Sequence, residues 1–323
     1  MKKAYLAAVV LGLAATVGCS KKTTVTPSNN NNTGGANIEP ADAPALTWQE
    51  HWFEHAQNLS RISYDDNVVI YYDKDVRRDI VWPKTYMAQA WVYTKKTYGA
   101  FGDDPRLYAV FHSGKYSGGH PSTYMDASHD YHNVTDCGSG DMNAWVSGAG
   151  NDIDLATHEI GHIVEGAAKG VHGSPAFAIW HDSKWMEIYQ YDVYLGLGRN
   201  DDAVRWHNLK QQTTDDFPRQ GTHWYRDWFY PIYSEHGKTK TLTGFFTLLS
   251  KYFPKRTYNN GKQTYPEYSR DLNYGEFIHF WSGAAGADLK ELALTAFGDK
   301  DEWGNDWQAQ LDKAKTDFPD IKY

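Results

Sequence analysis

An α+β fold, with an N-terminal part built on a mixed sheet and a mainly helical C-terminal part, is what this sequence predicts. Two observations carry the prediction. Before about Val134, the runs "NVVIYYD" and "RLYAVFH" are rich in β-branched and aromatic residues and are bounded by turn formers. After Asp154, apolar positions recur at helical spacing in one segment after another. Strands followed by helices, rather than alternating with them, are the mark of α+β proteins.

Each element has its own warrant. "KTYMAQAWVYTKKTYGAF", between the two β-rich runs, has the apolar spacing of a helix. The stretch from His112 to Asn143 is rich in Gly, Ser, Asn and Asp and reads as loop or irregular strand. "NAWV", Asn143 to Val146, reads as a short edge strand against which an extended peptide could pair. "DLATHEIGHIVEGAAKG" starts on an acid and stops on Gly170, as helices do. "SPAFAIWHDSKWMEIYQYDVYLGLG" opens on Ser174-Pro175, a favoured cap and first turn, and closes on Gly196 and Gly198. "TLTGFFTLLSKYF", "NYGEFIHFWSGAAG", "ADLKELALTAFG" and "DWQAQLDKAKTDF" are further helices.

The chain has 323 residues, 41% of them hydrophobic and 22% charged, enough for one sizeable core or two small domains. Its net charge of -8 excludes a nucleic-acid partner, which would need a clustered basic face. Thirteen tryptophans and 23 tyrosines call for a place. Either they fill a core with half-wet rims, or they form stacking platforms for sugar rings or peptide side chains.

The first residues predict export. "MKK" is a positive n-region, followed by an apolar stretch too short for a stable membrane span. The segment ends in "TVGCS" and resembles a bacterial lipoprotein signal, although Thr16 stands where that signal usually has leucine. The resemblance implies a lipid anchor on Cys19 and a protein held at the cell envelope, facing outward; a plain cleaved signal peptide is the alternative. The organisation is then a signal over 1–19, a polar Asn/Gly/Pro-rich tether over 20–45, and a catalytic domain over 46–323. Cys137, left without a partner for a disulfide, reads as a small buried hydrophobe.

The chemistry sits in "HEIGH". His158 and His162, four apart, project from one helix face and can bind a single ion. Catalytic zinc takes three protein ligands and keeps a position for water, from which Glu159 can take a proton. Gly161 keeps bulk away between the ligands. Metzincins would place a glycine and a third histidine where this chain has Glu165 and Ala168, so that pattern fails. Glu187 is the preferred third ligand, because a loop holding Gly170, Gly173 and Pro175 lets a second helix return antiparallel. Asp182 and His181 are rivals if that loop is tighter. Glu165, too near His162 to reach the same ion, belongs around the site, and His172 sits in the connecting loop.

Taken together, "HEIGH" and "WMEIYQYDVY" resemble the gluzincin-type zinc metallopeptidases over these two central helices, and the C-terminal "LNYGEFIHFWSGAAGADLKELALTAFG" resembles enhancin-like and mucin-directed peptidases. The resemblance implies a zinc-dependent hydrolase of peptide or (glyco)protein substrates, with Zn2+ held by His158, His162 and Glu187 and with Glu159 as general base. The acid that thermolysin-like enzymes place one turn beyond Glu187 is Tyr191 here, with Asp192 next. Oxyanion donors would come from His223, Tyr225, Tyr230, Tyr233, His236 or Tyr274. A different class, a non-catalytic surface lipoprotein binding glycans or peptides through exposed aromatics, would show a row of exposed tryptophans remote from His158.

Overall fold

In the computed structural model of the protein, which describes residues 39–182 and 184–323, the wholly buried run Leu107–Ser113 is a central strand of a six-stranded sheet. The strands are β1 (Thr47–Gln49), β2 (Asn58–Tyr64), β3 (Val68–Tyr72), β4 (Leu107–Ser113), β5 (Lys115–Ser122) and β6 (Asn133–Ser139), in the order β1-β2-β3-β4-β6-β5. The neighbours β3, β4 and β6 run parallel; the other pairings are antiparallel, and β5 forms an edge. Helix α1 (Trp82–Tyr98) makes the crossover between β3 and β4. The observed fold is α+β, as predicted.

Alternation along the strands divides the sheet into two faces. Val68, Ile70, Tyr72, Leu107, Ala109, Phe111 and Cys137 point to the large core shared with the helices. Val69, Tyr71, Tyr108, Val110 and Val134 point the other way and are covered by Trp52 and Leu59 from the segment around β1 and β2. Cys137 is a free, fully buried thiol.

The region read as loop or irregular strand contains two strands, β5 and β6. Their glycines and serines hid them, because β5 is a half-exposed edge and is bulged between Lys115 and Gly118. The expected edge strand at Asn143–Val146 is instead a turn. Trp145 has φ 68° there and donates its Nε1 hydrogen to the His112 carbonyl at 2.9 Å.

The helical part comprises α2 (Asn151–Ala167), α3 (Phe177–Trp180), α4 (Lys184–Gly196), α5 (Asn200–Lys210), a π-helical segment (Trp224–Phe229), α6 (Tyr230–Glu235) and α7 (Thr239–Tyr252). A hairpin of β7 (Lys255–Asn259) and β8 (Thr264–Tyr268) precedes α8 (Tyr274–Ala285), α9 (Lys290–Phe297) and α10 (Trp307–Asp317). At the start of α8, Asn273 accepts from the Glu276 amide while the Glu276 side chain accepts from the Asn273 amide, a reciprocal cap. The segment expected to form one helix from Ser174 to Gly198 is broken between α3 and α4. His181 has φ 51°, and Asp182 belongs to a turn rather than to a helix interior.

Most of the tryptophans are core residues. Eight of them, including Trp180, Trp185, Trp224 and Trp281, are among the largest fully buried side chains, and Trp303 alone stands among the exposed large hydrophobics of the described residues, at 55%. No helix among the described residues is long and apolar enough to cross a membrane. Cys19, the signal and most of the tether lie outside the described residues.

His172 ties the loop after α2 to the hairpin. Its ring stacks on Tyr258 at 4.0 Å and lies between Glu267 (Nδ1 to Oε1, 2.9 Å) and Asp126 (Nε2 to Oδ1, 3.0 Å). Burial pulls its pKa down, but the two carboxylates outweigh burial and hold it above the ordinary 6.5. A raised folded-state value means that the stabilisation is complete below the unfolded-state pKa and fades as pH climbs through the folded one. His172→Gln should therefore destabilise the protein most at about pH 6 and least at about pH 9, measured by urea unfolding at both. An equal loss at the two pH values would contradict this reading.

Candidate metal centre

Helix α2 is fixed at its first turn. Asp154 accepts two hydrogen bonds from Arg205, at 2.8 and 2.6 Å, and one from the Tyr194 hydroxyl at 2.5 Å. Gly161 faces α4: a Cβ there would meet Met186 Sδ at 2.9 Å and Tyr189 Cδ1 at 3.0 Å. Its small size thus serves the close approach of α4 to α2, rather than clearance between the histidines.

One turn beyond Asp154 the two imidazoles converge. The Nε2 atoms of His158 and His162 are 3.1 Å apart, and Asp182 Oδ1 lies 3.4 Å from His162 Nε2. Ligand atoms of these three residues lie close enough together to hold one metal ion. Each ring is held from behind. The Oε2 atom of Glu165 sits 3.1 Å from His162 Nδ1, while its Oε1 accepts from Ser174 Oγ at 2.6 Å and Trp180 Nε1 at 2.5 Å. Gln190 hydrogen-bonds His158 and donates to the Asp154 carbonyl at 2.9 Å. Glu165 is thus the carboxylate placed to orient His162, the part that neither Tyr191 nor Asp192 plays. Asp192 is buried and takes hydrogen bonds from Tyr93, Tyr233 and Thr239.

Glu187, the expected third ligand, is not gathered with the two imidazoles. Its Oε1 accepts from the ammonium groups of Lys184 at 3.3 Å and Lys210 at 3.1 Å, and the acid beside the imidazoles is Asp182. The break after α3 explains the exchange. With α4 beginning only at Lys184, Asp182 reaches the histidines from the turn, while Glu187 in the first turn of α4 engages two lysines. Asp182 is 79% exposed, so this donor comes from the rim. His181 turns elsewhere, pairing with Glu302 at 3.0 Å and packing on Phe217.

Glu159 is buried against β5, where a Cβ on Gly119 would overlap its carboxylate and push it aside. Its Oε2 is buried without a hydrogen-bond partner. Burial raises its pKa to about 8, with His162 opposing. Burial, helped by the proximity of His162, lowers His158 to about 3 and keeps its ring neutral. Burial pulls His162 down too, but Asp182 and Glu165 outweigh it and raise His162 to about 10. A cation bound at His162 would have to displace that proton.

A cleft of about 490 Å³ runs beside His162, walled by Pro121 and Ser122 of β5 and by Ser174 and Phe177. Of the oxyanion candidates, Tyr233 spends its hydroxyl on Asp192 and Tyr225 pairs with His207 at 3.1 Å. Tyr274 has a buried hydroxyl without a partner, as does His223 Nδ1.

No family model matches the chain, and no curated protein matches it. Among solved structures it is similar to a functionally unknown conserved protein from Bacillus anthracis str. Ames, at 12% identity and a TM-score of 0.44, over 78% of this chain and 50% of that one. The chain therefore spans about half the length of that protein.

A second gathering of donors escaped the sequence reading. Glu50, His55, His112 and Asp136 lie together, fully buried, on the sheet face away from α2. The one available signal was alternation: His112 continues the face of Tyr108 and Val110, and Asp136 that of Val134.

Proposed function

We propose that the protein is an exported zinc metallopeptidase, anchored at the cell envelope through Cys19, that hydrolyses peptide bonds of extended peptide or (glyco)protein substrates. The observation that carries this reading is the convergence of His158 Nε2, His162 Nε2 and Asp182 Oδ1 beside the unpartnered Glu159 Oε2. The donor set of two imidazoles and one carboxylate suits zinc with a position left open. Zinc bound there would supply a Lewis acid for the scissile carbonyl and make a neighbouring water more acidic.

The chain's own residues do the rest. His158 and His162 supply nitrogens that Gln190 and Glu165 hold in orientation. Glu159 takes the proton from the attacking water and returns it to the leaving amine. A nearby cation favours the ionised form of this carboxylate and opposes the effect of burial. The edge of β5 offers backbone groups with which an extended peptide can pair. The burial of the tryptophans argues against the glycan-stacking alternative.

The test is digestion of an unfolded polypeptide such as reduced casein by the purified protein. Cleavage should stop when a chelator strips the metal and return on titration with zinc. A zinc-replete protein that leaves unfolded chains intact would overturn the reading.

A further inference from the structure

We infer that Glu50, His55, His112 and Asp136 form a second metal site, separate from the His158 centre and on the opposite face of the sheet, which takes a divalent transition-metal ion and staples the N-terminal segment to the strands. The four side chains come from three places. Glu50 and His55 lie in the segment between β1 and β2, His112 near the end of β4, and Asp136 in the middle of β6. All are at most 3% exposed.

Their polar atoms face one another. His112 Nε2 is 2.8 Å from Glu50 Oε1 and 3.0 Å from Asp136 Oδ1. His55 Nδ1 is 2.8 Å from Asp136 Oδ2 and 3.8 Å from Glu50 Oε1. Yet Glu50 Oε1, His112 Nε2 and Asp136 Oδ1 are all buried without a hydrogen bond of acceptable geometry. Buried polar atoms in folded proteins are nearly always satisfied, so three orphans converging on one point call for an occupant. Around a tetrahedral ion with bonds of about 2.0–2.1 Å, ligand atoms lie roughly 3.4 Å apart, close to the separations here.

For Glu50, Asp136 and His112 the opposite side is already committed. The Gln57 amide donates to Glu50 Oε2 at 2.7 Å, and Trp52 Nε1 donates to Asp136 Oδ2 at 2.8 Å. Asp73 Oδ2 sits 3.1 Å from His112 Nδ1 and is itself held by Lys115 at 2.8 Å. A carboxylate behind a histidine, leaving the other nitrogen free, is the arrangement that orients metal-binding imidazoles. Two buried carboxylates also require a positive charge between them. Two imidazoles among four donors disfavour calcium and magnesium, which prefer all-oxygen shells, and suit zinc or a neighbouring first-row ion. The far edge of His55 faces the exposed Glu54 and the half-buried His120, the side nearest to solvent.

The site is enclosed by protein, so its role is structural rather than catalytic. It would hold the segment from Glu50 to Gln57 against β4 and β6, where Trp52 covers the second core.

Metal content per chain, measured on protein purified without chelators, tests the assignment. Wild type should carry two ions, the His158→Ala/His162→Ala double variant one, and His112→Ala one. If His112→Ala does not fold, anomalous diffraction from wild-type crystals at the metal's absorption edge decides, with a peak expected between Glu50, His112 and Asp136. A peak there but none at His158 upholds this site and sinks the peptidase reading. A single peak at His158, or a His112→Ala protein with undiminished metal content, overturns the second site and leaves a protonated His112 as the buried cation.

Discussion

Replacing Glu159 with Gln should lower peptide hydrolysis by about 10²–10⁴-fold, the usual contribution of a positioned acid–base group, while the metal content stays at its wild-type value. The substitution is nearly isosteric, so the cradle formed by Gly119 still fits the side chain and the packing of α2 on β5 is unchanged. What disappears is the ability to accept a proton. Loss of the base should also show in the pH profile. Burial raises the Glu159 pKa to about 8, and the wild-type rate should climb as this carboxyl ionises, at a lower pH when the cation is bound. The Gln variant should have no such limb. Peptidase assays across pH, paired with elemental analysis, check both points. Activity within a few-fold of wild type would remove Glu159 from the chemistry.

Trp281→Ala should cost about 3–5 kcal/mol of stability, as truncations of buried aromatics do, out of roughly 5–15 kcal/mol for a typical domain. Trp281 in α8 is fully buried, stacks on Phe245 with ring centroids 4.3 Å apart and planes within 11°, and meets Phe229 edge-on at 5.6 Å. Its indole N–H is buried without a partner, so the residue is held by its ring and not by a hydrogen bond. Trp281→Phe should accordingly cost far less than Trp281→Ala, because it keeps the stack and removes the unsatisfied donor. Urea unfolding of the three proteins measures the order. Equal losses for Phe and Ala would mean that the stack contributes little.

The parts of this molecule that were legible in its sequence are those governed by local rules. β3 and β4 are continuous apolar runs, and α2, α7 and α8 carry helical spacing with recognisable ends. β5 and β6 were only half legible, as loop or irregular strand, because pairing rather than composition makes them strands. β6 carries Asp136 where a buried strand would ordinarily carry an aliphatic residue, and that acid is explained only by partners far away in sequence. The hairpin of β7 and β8 was missed in the sequence, although Asn260-Gly261, where Gly261 adopts φ 90°, is a local turn signal.

The site divides in the same way. The His158–His162 spacing is a property of one helix, and so is the proximity of Glu165 three residues on. The third donor depended on where the chain breaks between Trp180 and Lys184, and propensity alone did not place that break. The far-face cluster draws on three separated segments with no fixed spacing, and only the tertiary fold could bring them together.

The open flank of β5 has a consequence for what the cleft can discriminate. A partner strand laid along it would alternate its side chains, one toward the floor near Gly119 and Pro121, the next away toward the bulk. On the proposed peptidase reading, preferences in the residues around a scissile bond should therefore follow a two-residue rhythm. A target that cannot locally straighten would escape cutting, whatever its composition.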